Sequence, residues 1–249
     1  MKDKLVGIAK TVLQIIFWLL IWEISARIVD NEFFLPTLGQ TFRKLWDVVW
    51  DKNFPLTLIS TLGRVLLGLV IGTALGVTLA TLSHYSSIVK CIVSPFVSVV
   101  KSTPVATFII ILWLFMSGNA LPVFIAVLMV MPIIWQNVLD GYEAIDPQLS
   151  EVCYLYRFSF KKRMRVLIFP TLLKYFIPAF ITAAGLAWKA EIAAEIIAYT
   201  KNSIGGHISD ANTVYETAEV FAWTLVVITV SILLEALTKF LLRRFKRNA

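Results

Sequence analysis

The chain has 249 residues, of which 58% are hydrophobic and only 16% charged, and its formal net charge is +7. Soluble domains carry about 25% charged residues, and one core of this size cannot hide so much apolar surface, which excludes an ordinary soluble globular protein. The basic residues sit between and beside apolar blocks, so they read as the inward bias of membrane loops and not as a nucleic-acid surface. Cys91 and Cys153 share no metal-ligand spacing with His84 and His207, which gives a disulfide or a zinc site little support. The expected class is an all-α polytopic membrane protein.

Crossing about 30 Å of hydrocarbon takes about 20 mostly apolar residues. Six segments qualify, roughly 11–29, 57–82, 91–116, 119–139, 171–199 and 220–242. Backbone polar groups in lipid must pair internally, so these are predicted helices; the alternating pattern of a membrane barrel is absent. Lys2, Lys4 and Lys10 precede the apolar run Val12 to Trp22, as in a signal peptide. The following Glu23-Ile24-Ser25-Ala26-Arg27 has no clear small-x-small cleavage site, so a retained first span is expected. Glu23 and Arg27, four residues apart, are expected to pair on one face of it. Thr41 to Trp50 carries apolar residues at helical spacing, which predicts an amphipathic helix on the outer membrane surface, either an anchor or a docking element.

In the third span, Lys101, Ser102 and Thr103 lie near Pro95 and Pro104. Proline loosens a helix, and a polar segment at such a point either faces a water-filled pathway or packs against a neighbouring helix end. In the fifth span, Glu191 and Glu195 share a face, whereas Lys189 points elsewhere. A charge inside hydrocarbon costs about 2.5–3.5 kcal/mol or more. That face therefore lines a translocation pathway or forms an interhelical ion pair with Lys101 or Arg64. Trp188 either stacks on substrate or packs between helices.

Between the fourth and fifth spans, residues 141–170 form the only long polar stretch assigned to the inner face. Asp146-Pro147 is a helix-start signal. A short helix from Pro147 to Tyr156 would expose Leu149, Val152, Cys153 and Tyr156 on one face, with the basic residues Arg157, Lys161, Lys162, Arg163 and Arg165 following. Such a loop suits the docking of another protein; the plainer reading is a solvated loop that enforces orientation. Lys90, this loop and the group Lys239, Arg243, Arg244, Lys246 and Arg247 fall on one face with the N-terminal lysines. The other face receives only Arg27, Arg43, Lys44, Lys52 and Lys201. Both termini are thus expected to be cytoplasmic.

The loop resembles the signature of binding-protein-dependent ABC transporter permeases, written Glu-Ala-Ala, three residues, Gly, nine residues, Ile, one residue, Leu-Pro. Glu151-Val152-Cys153 fills the first triplet, Leu167 falls on the Ile position and Phe169-Pro170 on the final pair, while Arg157 departs from the Gly. Lys101-Ser102-Thr103-Pro104-Val105 resembles an element of the nitrate, sulfonate and taurine branch. So do Asp140-Gly141 with Ile145-Asp146-Pro147, Gly185 to Lys189 with Ala193-Ala194-Glu195, Ser203-Ile204-Gly205-Gly206, and Thr61 to Gly68. The match runs from about residue 57 to the end.

The resemblance implies a type I ABC importer permease fold with about six transmembrane helices, in the cell membrane. Residues 1–56 would be an N-terminal span and surface helix, and residues 57–249 the permease core. It also implies two permease copies sharing a pathway, ATPase subunits gripping the helix around Glu151 to Arg157, and an external substrate-binding protein. The sequence has no phosphate-cradling Gly-Lys-Ser/Thr loop, so ATP and Mg belong to the partner subunit and the chain is expected to bind no cofactor and catalyse nothing itself. The coupling residues would be Glu151, Val152, Cys153, Tyr156, Arg157 and Pro170. The pathway residues would be Lys101, Ser102, Thr103, Trp188, Lys189, Glu191 and Glu195. A small organic anion such as a sulfonate, or nitrate, is the expected solute, with a thiamine-precursor pyrimidine as the alternative. An ion-coupled secondary transporter is the rival class.

Overall fold

The computed structural model describes the backbone of residues 2–248 and the side chains of residues 10–240. The side chains of Lys2, Lys4, Arg243, Arg244, Lys246 and Arg247 lie outside the described ones. The helices run in the order α1 (Lys2–Val29), α2 (Leu38–Val49), α3 (Phe54–Tyr85), α4 (Ser87–Ser102), α5 (Val105–Trp113), α6 (Ala120–Glu143), α7 (Pro147–Leu155), α8 (Phe160–Arg163), α9 (Phe169–Ile197), α10 (Ile204–Thr213) and α11 (Thr217–Asn248). A π-helical turn, Met164–Ile168, joins α8 to α9.

Among the described residues, five helical stretches are long and apolar enough to cross a membrane: Lys10–Val29, Phe54–Tyr85, Ala120–Glu143, Phe160–Ile197 and Thr217–Phe240. The sixth expected span, 91–116, is not one straight helix. It is α4 and α5, meeting at an angle of 103°. Pro104 has no N–H to continue the helix and forces the residue before it out of the helical region. Thr103 accordingly sits at φ −91°, ψ 134°. α5 then restarts with Thr107 N donating to Pro104 O at 3.0 Å.

The centre of the bundle is a layer of α3, α6 and α9. Gly68, Gly72 and Gly76 recur every four residues, one side of α3, and face Ala126, Val130 and Ile134 of α6. A Cβ on these glycines would come within 2.5, 2.7 and 2.8 Å of the Cβ of the facing residue. In lipid, where tails are as apolar as leucine, such close backbone approach is what holds helices together. The two histidines lie at opposite ends of α3. His207 stacks on Trp223 with Thr57 Oγ1 3.4 Å from its Nε2, while His84 stacks on Tyr142.

α1 lies outside this layer. Its foot is tied down by Trp22 Nε1 donating to Pro36 O at 3.0 Å, and by Glu23, which accepts from Arg27 Nε at 2.8 Å and from Leu38 N at 3.0 Å. α2 begins with a reciprocal cap: Gln40 N donates to Thr37 Oγ1 and Thr37 N to Gln40 Oε1. It is amphipathic: Thr41 and Val48 turn inward, and Phe42, Trp46, Val49 and the C-cap Trp50 are exposed. Lys44 fixes it to the start of α11 through Glu216 at 2.6 Å and Glu219 at 3.4 Å. The hydrogen bond to Glu216 holds the Lys44 ammonium above its ordinary pKa.

Candidate functional site

Two constructions stand out, one at each end of the bundle. At the end where α6 and α9 are joined by the polar loop, Asp146 caps α7 by accepting from Gln148 N at 2.8 Å, and Pro147 occupies the first turn. The helix ends in a tight crossover: Arg157 N donates to Tyr154 O at 3.0 Å and Phe158 N to Cys153 O at 2.9 Å. This is the Schellman arrangement, whose key residue is left-handed. Arg157 fills it with φ +49°. The departure from glycine noted in the sequence therefore leaves the turn intact, at a strain of about 1–2 kcal/mol. Arg163 Nη2 donates to Ser150 Oγ at 2.9 Å, which pins α8 to α7, and Lys162 Nζ sits 3.8 Å from the ring centre of Phe158 in the connecting turn.

The face of α7 differs from expectation in one residue. Leu149, Val152 and Tyr156 are exposed, as is Glu151, but Cys153 is only 7% exposed and packs inward. The outward surface is completed instead by Tyr154 at 86% and Leu155 at 75% exposure. Pro170 is half-buried in the first turn of α9.

Toward the other end, Arg64 of α3 reaches into a closed cluster. Its Nη2 is 2.5 Å and its Nε 3.0 Å from Glu195 Oε1, and Nε is 3.4 Å from Glu191 Oε1. Nη1 donates to Asn119 Oδ1 at 3.0 Å. Thr61 Oγ1 donates to Glu195 Oε1 at 2.9 Å and accepts from Ile204 N at 3.1 Å. Gly205 N donates to Glu195 Oε2 at 3.0 Å. A Cβ on Gly205 would lie 2.4 Å from that of Glu195, so only glycine lets the backbone donor approach. The cluster thus ties α3, the start of α6, α9 and the start of α10 into one unit.

Three of the residues expected on the pathway are buried in this conformation. Glu191 and Glu195 are both 0% exposed, and Trp188 is 1% exposed within the apolar core, so none of them faces open space. Of the two ion-pair partners open to the glutamates, Arg64 is the one used; among the described residues Lys101 makes no ion pair. Lys101 and Ser102 are exposed at the end of α4, beside the bend, and Thr103 is half-buried. The two hydroxyls bond back to Val99 O at 3.1 and 2.8 Å, so they serve their own helix. Lys189 is exposed and lines a recess of about 320 Å³ between α9 and α11 with Glu235 and Ser231.

Sequence reasoning named Arg64 only as one possible partner and missed Asn119 and Thr61. The signal was there in the stretch Thr61 to Gly68, Ala193-Ala194-Glu195 and Ser203 to Gly206. These are separate in the chain but meet at Glu195.

The family model for the binding-protein-dependent transport system inner membrane component matches residues 68–247. The chain belongs to this family. The permease is 24% identical to the putative aliphatic sulfonates transport permease protein SsuC of Bacillus subtilis, over 90% of this chain and 82% of that protein. It is 24% identical to the bicarbonate transport system permease protein CmpB of Synechococcus elongatus, over 99% of this chain and 92% of that one. The formylaminopyrimidine transport permease protein ThiX of Halalkalibacterium halodurans is 28% identical over 68% of this chain and 66% of its own length. Among solved structures, a chain of an amino acid ABC transporter crystallised with histidines superposes with a TM-score of 0.63 at 21% identity, over 78% of this chain and 94% of that one, a likeness of fold. The permease is therefore the non-catalytic, multi-pass inner-membrane subunit of an ATP-driven importer, not an ion-coupled secondary transporter. Such systems work with ATPase and substrate-binding partners.

Proposed function

We propose that two copies of this permease form the pathway for a small organic or inorganic anion. In this reading α7 of each copy is gripped by a cytoplasmic ATPase subunit that holds ATP and Mg. A binding protein delivers the solute to the opposite face, and both termini are cytoplasmic. The observation that carries the reading is the surface of α7. Tyr154, Leu155 and Tyr156 project side by side from a rigidly capped helix, a contiguous aromatic and apolar surface of the kind that partners cover. Closure of the ATPases would move α7 and rock the permeases, provided docking is tighter in one state than in the other.

The test is co-purification from mild detergent. The wild-type chain is expected to bring down a P-loop ATPase in about equal amount. Leu155→Ala with Tyr156→Ala is expected to lower that yield about tenfold, the loss of one or two interface anchors. Equal capture by both would remove α7 from the docking role.

The anion assignment is supported by the exposed Lys101 beside the α4–α5 bend and by the solutes named for relatives: aliphatic sulfonates, bicarbonate and nitrate. The formylaminopyrimidine relative keeps a pyrimidine as the second reading. In reconstituted vesicles Lys101→Ala is expected to reduce anion uptake severalfold with ATPase capture unchanged. Wild-type uptake by that variant would make Lys101 peripheral.

A further inference from the structure

We infer that Arg64 is a positioning residue with two stations on α9, Glu195 in the conformation seen here and Glu191 in the conformation reached during transport. The two carboxylates are four residues apart on one helix face, about 6 Å along its axis. They are treated unequally. Every oxygen of Glu195 is used: Oε1 by Arg64 and Thr61, Oε2 by Gly205 N and by Thr61 at 3.2 Å. Glu191 has one long contact to Arg64 Nε at 3.4 Å and otherwise lies against Glu195, and among the described residues its Oε2 has no partner although the residue is 0% exposed.

A buried carboxylate oxygen without a donor is unfavourable. Such local strain is found at sites where conformations switch. Two buried carboxylates also share one guanidinium, so one of them is always under-compensated. Arg64 needs little movement to exchange them, since Nε already lies between both. Its other contacts are Asn119 Oδ1 on one side, Asn202 O at 3.4 Å on the other, and Thr61 Oγ1 at 3.4 Å.

The exchange has a consequence beyond the side chain. When Arg64 leaves Glu195, that carboxylate loses its counter-charge while still accepting from Gly205 N and from Thr61, which itself holds Ile204 N. Arg64 also gives up Asn202 O, in the turn before α10, so the approach to α10 loses one of its ties to α3. Arg64 thus links the relation of α3 and α9 to the seating of α10.

This inference rests on the ATP-driven reading above, and the test separates the two. A single cysteine replaces the buried Ala211 of α10 in a full-length chain with Cys91 and Cys153 changed to serine and alanine, assembled with its ATPase in vesicles. Maleimide labelling is followed at rest and during ATP turnover. Wild type is expected to label severalfold faster during turnover. Glu195→Gln is expected to label at rest as fast as wild type in turnover, because the first station is weakened. Glu191→Gln is expected to label slowly in both conditions, with uptake reduced about tenfold, the loss of one charged hydrogen bond.

A purely structural ion pair would move both variants in the same direction, and that result overturns the inference. Should Glu195→Gln not reach the membrane, Glu191→Gln decides alone: normal acceleration during turnover overturns it. Absence of any ATP effect in wild type would count against the ATP-driven reading, while the resting comparison of the two variants still decides the positioning role.

Discussion

Arg64→Leu is expected to be among the most damaging single substitutions in the permease. It leaves Glu191 and Glu195 buried, adjacent and without a counter-charge, and it empties the hydrogen bonds to Asn119 and Asn202. Removing one member of a buried ion pair costs about 3–5 kcal/mol, mostly because the other charge stays buried unpaired. The unfolding midpoint of the detergent-solubilised chain should fall accordingly and little protein should reach the membrane. Adding Glu191→Gln and Glu195→Gln to Arg64→Leu should restore part of the loss, because the stranded charges disappear. A midpoint unchanged by Arg64→Leu would mean the cluster is solvated in the membrane-embedded protein. Lys would be a poor replacement, since it cannot present the planar fork that reaches Glu195 and Asn119 together.

The second large effect is expected at the seam between α3 and α6. In Gly68→Ala the new methyl would lie 2.5 Å from Ala126 Cβ and 3.1 Å from Val123 O. The helices must part, and overpacking of this kind costs about 1–3 kcal/mol. The reciprocal change Ala126→Gly removes the nearest clashing atom. Gly68→Ala with Ala126→Gly should therefore recover most of the stability, whereas Ala126→Gly alone leaves a small void. Unfolding midpoints for the two single variants and the pair form a double-mutant cycle. A coupling near zero would show that this seam has room to give. Gly76 is similarly closed: the added methyl would lie 2.8 Å from Ile134 Cβ and 2.9 Å from Met131 O.

Five of the six expected spans and the helix order were legible because hydrocarbon thickness fixes the length of an apolar run. Which face of each run is buried was not. Trp188 is inside and Leu186, two residues earlier, is exposed, yet both are apolar, and a membrane protein shows apolar groups to lipid and to its core alike. The same ambiguity misplaced Cys153. The spacing of Leu149, Val152, Cys153 and Tyr156 marks one helical stripe, but spacing does not say where the bundle's edge crosses it. The 103° corner was visible only as Pro104, since proline interrupts a helix without dictating the direction in which the chain leaves. Arg64 was the hardest to read. Its partners come from α6, α9 and the approach to α10, up to 138 residues away, and only packing brings them together.

The left-handed residue that closes α7 has an electrical side. The helix dipole leaves the carbonyl end of a helix partially negative, and a cation there is favourable by a few tenths of a kcal/mol at an exposed site. Arg157 stands at that end, exposed, with its guanidinium free to approach the last carbonyls. A glycine would relieve the backbone strain but bring no charge. Arginine keeps the strain and offsets part of it electrostatically. α7 is therefore polarised along its length, acidic at Asp146 and Glu151 and basic from Arg157 onward, so a partner of the proposed kind would have to meet it in one direction.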